Sequence, residues 1–337
     1  PYRRTNRQRR SGNRTPVTEG LLGRYDGIVC DLDGVVYAGP DAIPHAIASL
    51  QSTREHGTRV VYATNNASRP PSAVAAHLRE LGLRLDDEDV VNSSMAAAHV
   101  LRESGAQVRI VLPIGGEGVA RALRGAGFVC VGDDDAGAGT GDIDAVVQGY
   151  GPDVRATDLA AAAHAVNGGA RWVATNTDLT LPTEKGIAPG NGSLVQAVRN
   201  AVAVDPEVAG KPMPVMYDMA SERIGAADAS RVLAVGDRLE TDIEGATRGG
   251  YDSVLVLTGV HGLADAAAAP KERRPTYVLA DLRGLTQPYE VETAGKCDAG
   301  ASIARVRGLL TSLWERVDAG DLSAEDAARE MRQACGS

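Results

Sequence analysis

Tyr25-Asp26-Gly27-Ile28-Val29-Cys30-Asp31-Leu32-Asp33-Gly34 is a short apolar run that stops abruptly in two carboxylates and a glycine. Apolar residues without polar alternation read as a strand buried on both faces, as in a parallel sheet covered by helices. Ligands of such sheets bind just beyond the carboxyl ends of strands, so Asp31 and Asp33 stand where chemistry is expected. Two aspartates one residue apart offer hard oxygen ligands to Mg²⁺. Gly34 lets the chain turn sharply and brings backbone N–H groups toward an anion. A surface Asp-x-Asp-Gly turn is the plainer reading, and the rest of the chain decides between them.

The same arrangement recurs. Arg59-Val60-Val61-Tyr62-Ala63 reads as a second strand and runs into Thr64-Asn65-Asn66-Ala67-Ser68. A hydroxyl and two amides before a helix can donate to a phosphate, or simply cap the helix. Gly210-Lys211-Pro212 fixes a lysine in an irregular segment, where its charge can balance a carboxylate and a phosphate together; a solvated loop lysine is the plainer reading of this motif alone. Arg231-Val232-Leu233-Ala234-Val235 is a third strand, ending in Gly236-Asp237-Arg238-Leu239-Glu240-Thr241-Asp242-Ile243-Glu244. Asp237 can complete a Mg²⁺ site with Asp31 and Asp33, while Asp242 can orient Lys211 or a metal-bound water. Thr241 and Glu244 carry the spacing of a capping box for a helix from about Asp242. Strand-end carboxylates after two distant strands, with Thr64 and Lys211, are far harder to obtain by accident than any one of them.

Around these motifs the chain alternates strands and helices. Helices are expected over Ile43–His56 and Pro70–Leu81, the latter started by Ser68 and the Pro70-Pro71 pair. Further strands are expected at Ser253–Leu257 and Tyr277–Leu279. The middle has its own smaller alternation: Val108–Leu112, a helix Glu117–Gly125, Ala145–Val147, an Ala-rich helix near Leu159–Val166, and Arg171–Ala174. The fold expected is therefore α/β, a Rossmann-like parallel sheet core with an inserted α/β cap domain and a short C-terminal helical extension. The divisions expected are a disordered Arg-rich tail over 1–18, a core over 19–104 and 208–285, a cap over 105–207, and a linker with helices over 286–337. In that last piece Ile303, Val306, Leu310, Leu313, Trp314 and Val317 recur at helical spacing, and Ser323 with Asp326 reads as an N-cap. A helical hairpin packed on the core, or on a partner subunit of a homo-oligomer, is expected there.

Composition narrows the function classes. The 337 residues are 43% hydrophobic and 23% charged, within the globular range, and no apolar run approaches the ~18 residues of a membrane span. Aromatic content is 4% with a single Phe, Phe128, and net charge is −9, which together argue against a nucleic-acid binder. Arg3, Arg4, Arg7, Arg9, Arg10 and Arg14 read as a solvated tail, with an arm for anionic surfaces as the other reading. Cys30, Cys130, Cys297 and Cys335 form no CxxC pair, which fits a reducing cytoplasm. His45, His56, His77, His99, His164 and His261 show no metal-ligand spacing.

The four motifs, in this order, resemble those of the haloacid dehalogenase superfamily of phosphatases. More narrowly, the chain resembles the branch of p-nitrophenyl phosphatases, phosphoglycolate phosphatases and bacterial glycerol 3-phosphate phosphatases (subfamily IIA). Ala174-Thr175-Asn176-Thr177-Asp178, Pro189-Gly190-Asn191-Gly192-Ser193 and Leu257-Thr258-Gly259-Val260 match further marks of that branch. The resemblance covers roughly Gly20 to Leu285.

It implies a Mg²⁺-dependent phosphoric monoester hydrolase working through an aspartyl-phosphate. Asp31 would be the nucleophile and Asp33 the acid and then the base, with Lys211 managing charge. The metal would take the Asp31 carboxylate, the Asp33 backbone carbonyl and Asp237, with Asp242 acting through water or Lys211. Gly34, Thr64, Asn65 and Asn66 would hold the transferring oxygens, and Asn176 and Asp178 would face the substrate from the cap; a simple turn after a strand is the other reading of that pair. A roofed site favours a small phosphorylated metabolite. Glycerol 3-phosphate is the first choice implied, ahead of phosphoglycolate, sugar phosphates and nucleoside monophosphates.

Gly115-Gly116-Glu117-Gly118-Val119-Ala120-Arg121 suggests a dinucleotide loop, but Arg121 stands where the third glycine belongs. Gly210-Lys211 is followed by Pro212, so it is no Walker loop. A catalytically silent phospholigand-binding module would need a missing nucleophile or acid, and neither is missing. The C-terminal helices leave open a separate role as an interaction module.

Overall fold

The computed structural model describes residues 20–105, 107–132, 143–183, 185–287 and 303–335. The Arg-rich tail, Cys297 and most of the expected linker lie outside the described residues.

Six parallel strands form the core sheet, in the order Tyr277–Leu279, Asp252–Val256, Val232–Gly236, Gly27–Cys30, Arg59–Thr64 and Val90–Asn92. The first strand is thus central, with chain-order neighbours on one side and the late strands on the other. That is the switch point at which open α/β sheets bind ligands. Cys30 pairs with Val235 and with Tyr62, so the register carries Asp31 to within one residue of the level of Asp237 and Thr64. All four residues of the first strand and all five of Val232–Gly236 are buried, as their unbroken apolar character requires.

Several local expectations are corrected. The predicted capping box of Thr241 and Glu244 does not form. Leu239–Ile243 is a single π-helical turn and the α-helix runs Glu244–Gly249. Asp242 Oδ2 accepts the Arg238 N–H at 3.1 Å, while the Glu244 carboxylate pairs with Arg248 and with Arg273, the latter at 2.7 Å. The second helix, Pro71–Glu80, starts at the expected Pro70-Pro71 pair, but Ser68 does not cap it: its hydroxyl donates to Asn66 Oδ1 at 2.7 Å.

A second sheet of five parallel strands orders Glu207–Val208, Arg171–Ala174, Ala145–Gln148, Ile110–Ile114 and Val129–Cys130. A separate antiparallel hairpin, Thr180–Thr183 with Gly186–Pro189, follows the strand Arg171–Ala174 in the chain. The glycine cluster that suggested a dinucleotide loop serves packing instead. A Cβ at Gly116 or Gly118 would lie 2.5 Å from Ser68 O or 2.4 Å from Ala67 O, so the helix Glu117–Gly125 seats directly on the loop after Thr64. Val111, Val147 and Val173 share one apolar cluster with Val29, Val61 and Ala63 of the core sheet.

At the C-terminal end, helices Ile303–Ala319 and Ala324–Cys335 pack on the core, burying Leu310, Leu313, Trp314 and Met331 against Leu255, Ala266 and Val278. Trp314 Nε1 donates to Ala266 O at 2.8 Å, and Ser323 Oγ caps the last helix by accepting the Asp326 N–H at 3.0 Å, as its position predicts.

Candidate active site

Asp31 and Asp237 directly follow adjacent strands, Thr64 is the last residue of the neighbouring strand, and Lys211 reaches the same point from a loop leaving the second sheet. Lys211 Nζ donates to Asp31 Oδ1 at 2.5 Å and to Asp242 Oδ1 at 2.7 Å. Its side chain is 3% exposed. Burial alone would lower its pKa, but Asp242 and Asp31 outweigh burial and hold the ammonium charged well above its ordinary range. Burial, then the charge of Asp242, pushes Asp31 upward against the pull of Lys211.

One carboxylate oxygen each of Asp31, Asp237 and Asp242 lies within 4.8 Å of the others. Asp237 Oδ2 accepts the Val260 N–H at 2.8 Å, whereas its Oδ1 is buried without a hydrogen-bond partner. Burial, with the charge of Asp242, raises Asp237 to about 6. Two glycines make room for it. Gly34 holds φ at +79°, and a Cβ there would sit 2.3 Å from Asp237 Oδ2; at Gly259 it would sit 2.0 Å away. Thr258 Oγ1 donates to Gly34 O at 2.7 Å, tying the late loop to the first.

Asp33 lies at the open side of the site, its carboxylate outside the three-oxygen cluster. Partial enclosure by protein raises its pKa, while Lys211, Arg238, Arg69 and His77 oppose the rise. Gly34 N–H donates to Tyr37 O at 2.9 Å, closing the turn on itself.

A cavity of about 150 Å³ opens over these groups. Asp31, Asp33, Thr64, Asn65, Asn66 and Lys211 line it from the core, and Asn176 and Asp178 from the segment after Arg171–Ala174. All the predicted side-chain positions therefore converge, with Asp237 and Gly34 just beneath. Their hydrogen bonds refine the picture. Asn65 is a latch: Nδ2 donates to Asp178 Oδ2 at 3.2 Å and to Lys211 O at 3.1 Å, and Oδ1 accepts the Lys211 N–H at 2.8 Å. Asn66 Oδ1 accepts the Ser68 N–H at 3.0 Å, and its own N–H donates to Thr64 Oγ1 at 3.1 Å. Asn176 Nδ2 donates to Asn65 O at 2.8 Å, and its Oδ1 accepts the Asp178 N–H at 3.2 Å, forming an Asx turn that aims Asp178.

Sequence reasoning missed Tyr150, Thr180, Leu181, Asn191, Arg238 and Thr241, which also line the cavity. Arg238 directly follows Asp237, so its position at a strand end was the available signal. Thr241 lies in the π-helical turn and Asn191 opens the helix Asn191–Arg199 within the Pro189–Ser193 motif, while Thr180 and Leu181 belong to the hairpin and Tyr150 to a loop.

A parallel-sheet core, a second sheet over its switch point, and acidic groups gathered around a buried lysine define a hydrolase of phosphate esters. Comparison with known proteins agrees. The family model of haloacid dehalogenase-like hydrolases matches residues 28–129, and a HAD-hydrolase-like model matches 208–285. A D-glycerol 3-phosphate phosphatase of Mycobacterium tuberculosis is 39% identical, over 92% of this chain and 94% of that protein. An acid sugar phosphatase of Staphylococcus haemolyticus is 34% identical, over 77% of this chain and 95% of its own length. Among solved structures, the M. tuberculosis glycerol phosphate phosphatase in complex with magnesium aligns with a TM-score of 0.80 and 38% identity, over 95% of this chain and 99% of that one. A Thermotoga maritima 4-nitrophenylphosphatase aligns at 0.70 and 28% identity, over 79% and 98%. The chain belongs to the haloacid dehalogenase-like hydrolases and is a phosphatase of that type.

Proposed function

We propose that this phosphatase hydrolyses small phosphomonoesters through a phosphorylated Asp31, with glycerol 3-phosphate as its preferred substrate. The observation that carries the reading is the meeting of Asp31, Asp237 and Asp242 around Lys211 at the floor of one cavity. In this reading 19–104 and 208–285 form the core that holds the machinery, and 105–207 the cap that roofs it.

A Mg²⁺ ion fits the residues present. The unpartnered Asp237 Oδ1 and the adjacent Asp31 carboxylate supply hard oxygens, and the Asp33 carbonyl adds a third by family resemblance. Both Asp242 oxygens are already engaged, one by Lys211 and one by the Arg238 N–H, so Asp242 holds the lysine in place. When bound, the metal offsets the repulsion between carboxylate and phosphate and stabilises negative charge on the transferring oxygens.

The protein's own steps follow. The Asp31 oxygen that Lys211 does not hold attacks phosphorus in line, and the bond from phosphorus to the alcohol oxygen breaks. Asp33, with its raised pKa, gives its proton to the departing alkoxide. It then takes a proton from a water whose oxygen attacks the same phosphorus, releasing inorganic phosphate and the free Asp31 carboxylate. Thr64 and the backbone N–H groups about Asn65 seat the phosphoryl oxygens, and Asp178 and Asn176 face the leaving group.

Substrate size is supported by the cavity. A cavity of about 150 Å³ lined by polar side chains suits a small phosphorylated metabolite. The M. tuberculosis relative supports glycerol 3-phosphate, and the staphylococcal acid sugar phosphatases favour sugar phosphates as the second reading. Phosphoglycolate follows. The cysteine spacing supports a reducing cytoplasm as the place of work, and the C-terminal helices offer a surface for a homo-oligomer.

Phosphate release across a panel of these esters, with Mg²⁺ and with a chelator, tests the proposal. Glycerol 3-phosphate should give the highest kcat/KM, and only with the metal. Ligand binding without any phosphate release would make the chain a silent binding module instead.

A further inference from the structure

Two cations line the cavity among the described residues, and they differ in how their donors are used. Lys211 is sealed beneath the site and committed to two carboxylates. Arg238 is a third exposed, and among the described residues its guanidinium pairs with Glu240 Oε1 at a loose 3.7 Å; Glu240 in turn faces His261 Nδ1 at 3.5 Å. Its main-chain N–H, not its side chain, is the group that binds Asp242. Arg238 therefore brings five donors in a planar fork to the cavity wall with donors to spare.

We propose that Arg238 is a specificity-determining residue that, with Asp178, selects alcohols carrying hydroxyl groups next to the ester oxygen. The inference rests on the phosphatase reading above and deepens it. Arg238 comes from the core immediately after Asp237, whereas Asp178 comes from the segment following the cap strand Arg171–Ala174, latched by Asn65. Both line one cavity with Asp33, the residue that faces the leaving group in the proposed reaction. Burial raises both Asp33 and Asp178, and the charge of Arg238 on the same cavity wall opposes the rise in each.

A donor fork and an acceptor carboxylate suit a hydroxyl, which gives one hydrogen bond and accepts another. An anionic leaving group gains from Arg238 and is repelled by Asp178. An aromatic leaving group uses neither and leaves both polar groups unmatched, the circumstance in which a polar site discriminates most strongly.

The test compares kcat/KM for glycerol 3-phosphate, phosphoglycolate and p-nitrophenyl phosphate in the Mg²⁺-loaded protein and its Arg238→Met, Arg238→Lys and Asp178→Asn variants. In Arg238→Met the ratio of glycerol 3-phosphate to p-nitrophenyl phosphate should fall about tenfold or more, with partial recovery in Arg238→Lys. Asp178→Asn should shift the preference toward phosphoglycolate by about tenfold, because the repelling charge is gone. An unaltered ratio in Arg238→Met overturns the proposal, whether both activities fall together or neither falls. No phosphate release by the wild-type protein from any of the three esters would instead overturn the phosphatase reading.

Discussion

Lys211 Nζ stands 2.5 Å from Asp31 Oδ1, an ammonium set against the carboxylate that the proposed reaction uses as its nucleophile. The contact answers the difficulty of the chemistry. A carboxylate must approach a dianionic ester in a protein of net charge −9. Two like unit charges at 4 Å cost about 4 kcal/mol at an effective dielectric of 20. Lys211 reverses part of that repulsion before substrate arrives, and Asp242 on its other side keeps the ammonium in place.

Removing the lysine should expose both halves of this balance. Lys211→Met leaves Asp31 and Asp242 buried without their counter-ion, a loss of about 3–5 kcal/mol in stability. Turnover should fall by about a hundredfold or more. The stability deficit should shrink as pH is lowered, since protonation neutralises the stranded carboxylates. Denaturant unfolding at pH 5 and pH 7.5 checks this; an equal deficit at both would contradict the pairing.

Asp33 and the leaving group are linked through the proton it donates. Asp33→Asn should slow hydrolysis of glycerol 3-phosphate by about 10²–10⁴-fold, while p-nitrophenyl phosphate, whose phenolate leaves readily without a proton, should lose much less. Steady-state kinetics on the two esters decide it. Equal losses would place Asp33 in metal or phosphate binding alone.

How much of this was legible in the sequence depends on how local each determinant is. Asp31, Thr64 and Asp237 were readable because each follows an apolar strand, and parallel pairing then brings strand ends together. The edge strand Val90–Asn92 was too short to stand out, and the polar run within Val215–Ile224 hid that helix. Asn65 was readable as a phosphate donor, but its amide is spent joining Asp178 to the Lys211 backbone, a pairing across 113 residues that no spacing announces. The Thr241–Glu244 pattern misled because Asp242, caught by Lys211 and the Arg238 N–H, draws the chain into a π turn first.

Acid should weaken metal binding. Burial and Asp242 hold the metal-free Asp237 at about 6, above its ordinary 3.8, so its ionised form is the costly one in the folded protein. The metal-free protein therefore gains stability as pH falls from about 6 toward 3.8 and loses it as pH rises. Mg²⁺ must displace that proton, so its apparent affinity should drop about tenfold per pH unit below pH 6. Calorimetric titration at pH 5, 6 and 7 measures this; an affinity independent of pH would exclude Asp237 as a ligand.

The C-terminal helices should support stability rather than chemistry. Trp314 is buried among Ala266, Leu310 and Met331, with the Arg274 and Arg307 guanidinium carbons 5.4 Å and 5.5 Å from its ring centre. Trp314→Ala should cost about 3–5 kcal/mol of unfolding free energy while kcat at permissive temperature changes little. Paired unfolding and turnover measurements check it, and a selective loss of turnover would assign the extension a part in the site.

The covalent step itself is open to direct observation. A single turnover quenched in acid, followed by proteolysis and mass mapping, should find the phosphoryl group on the carboxylate of Asp31, with none found in Asp31→Asn, which should fold normally and release no phosphate. A phosphoryl group on another residue, or sustained turnover by Asp31→Asn, would contradict the account.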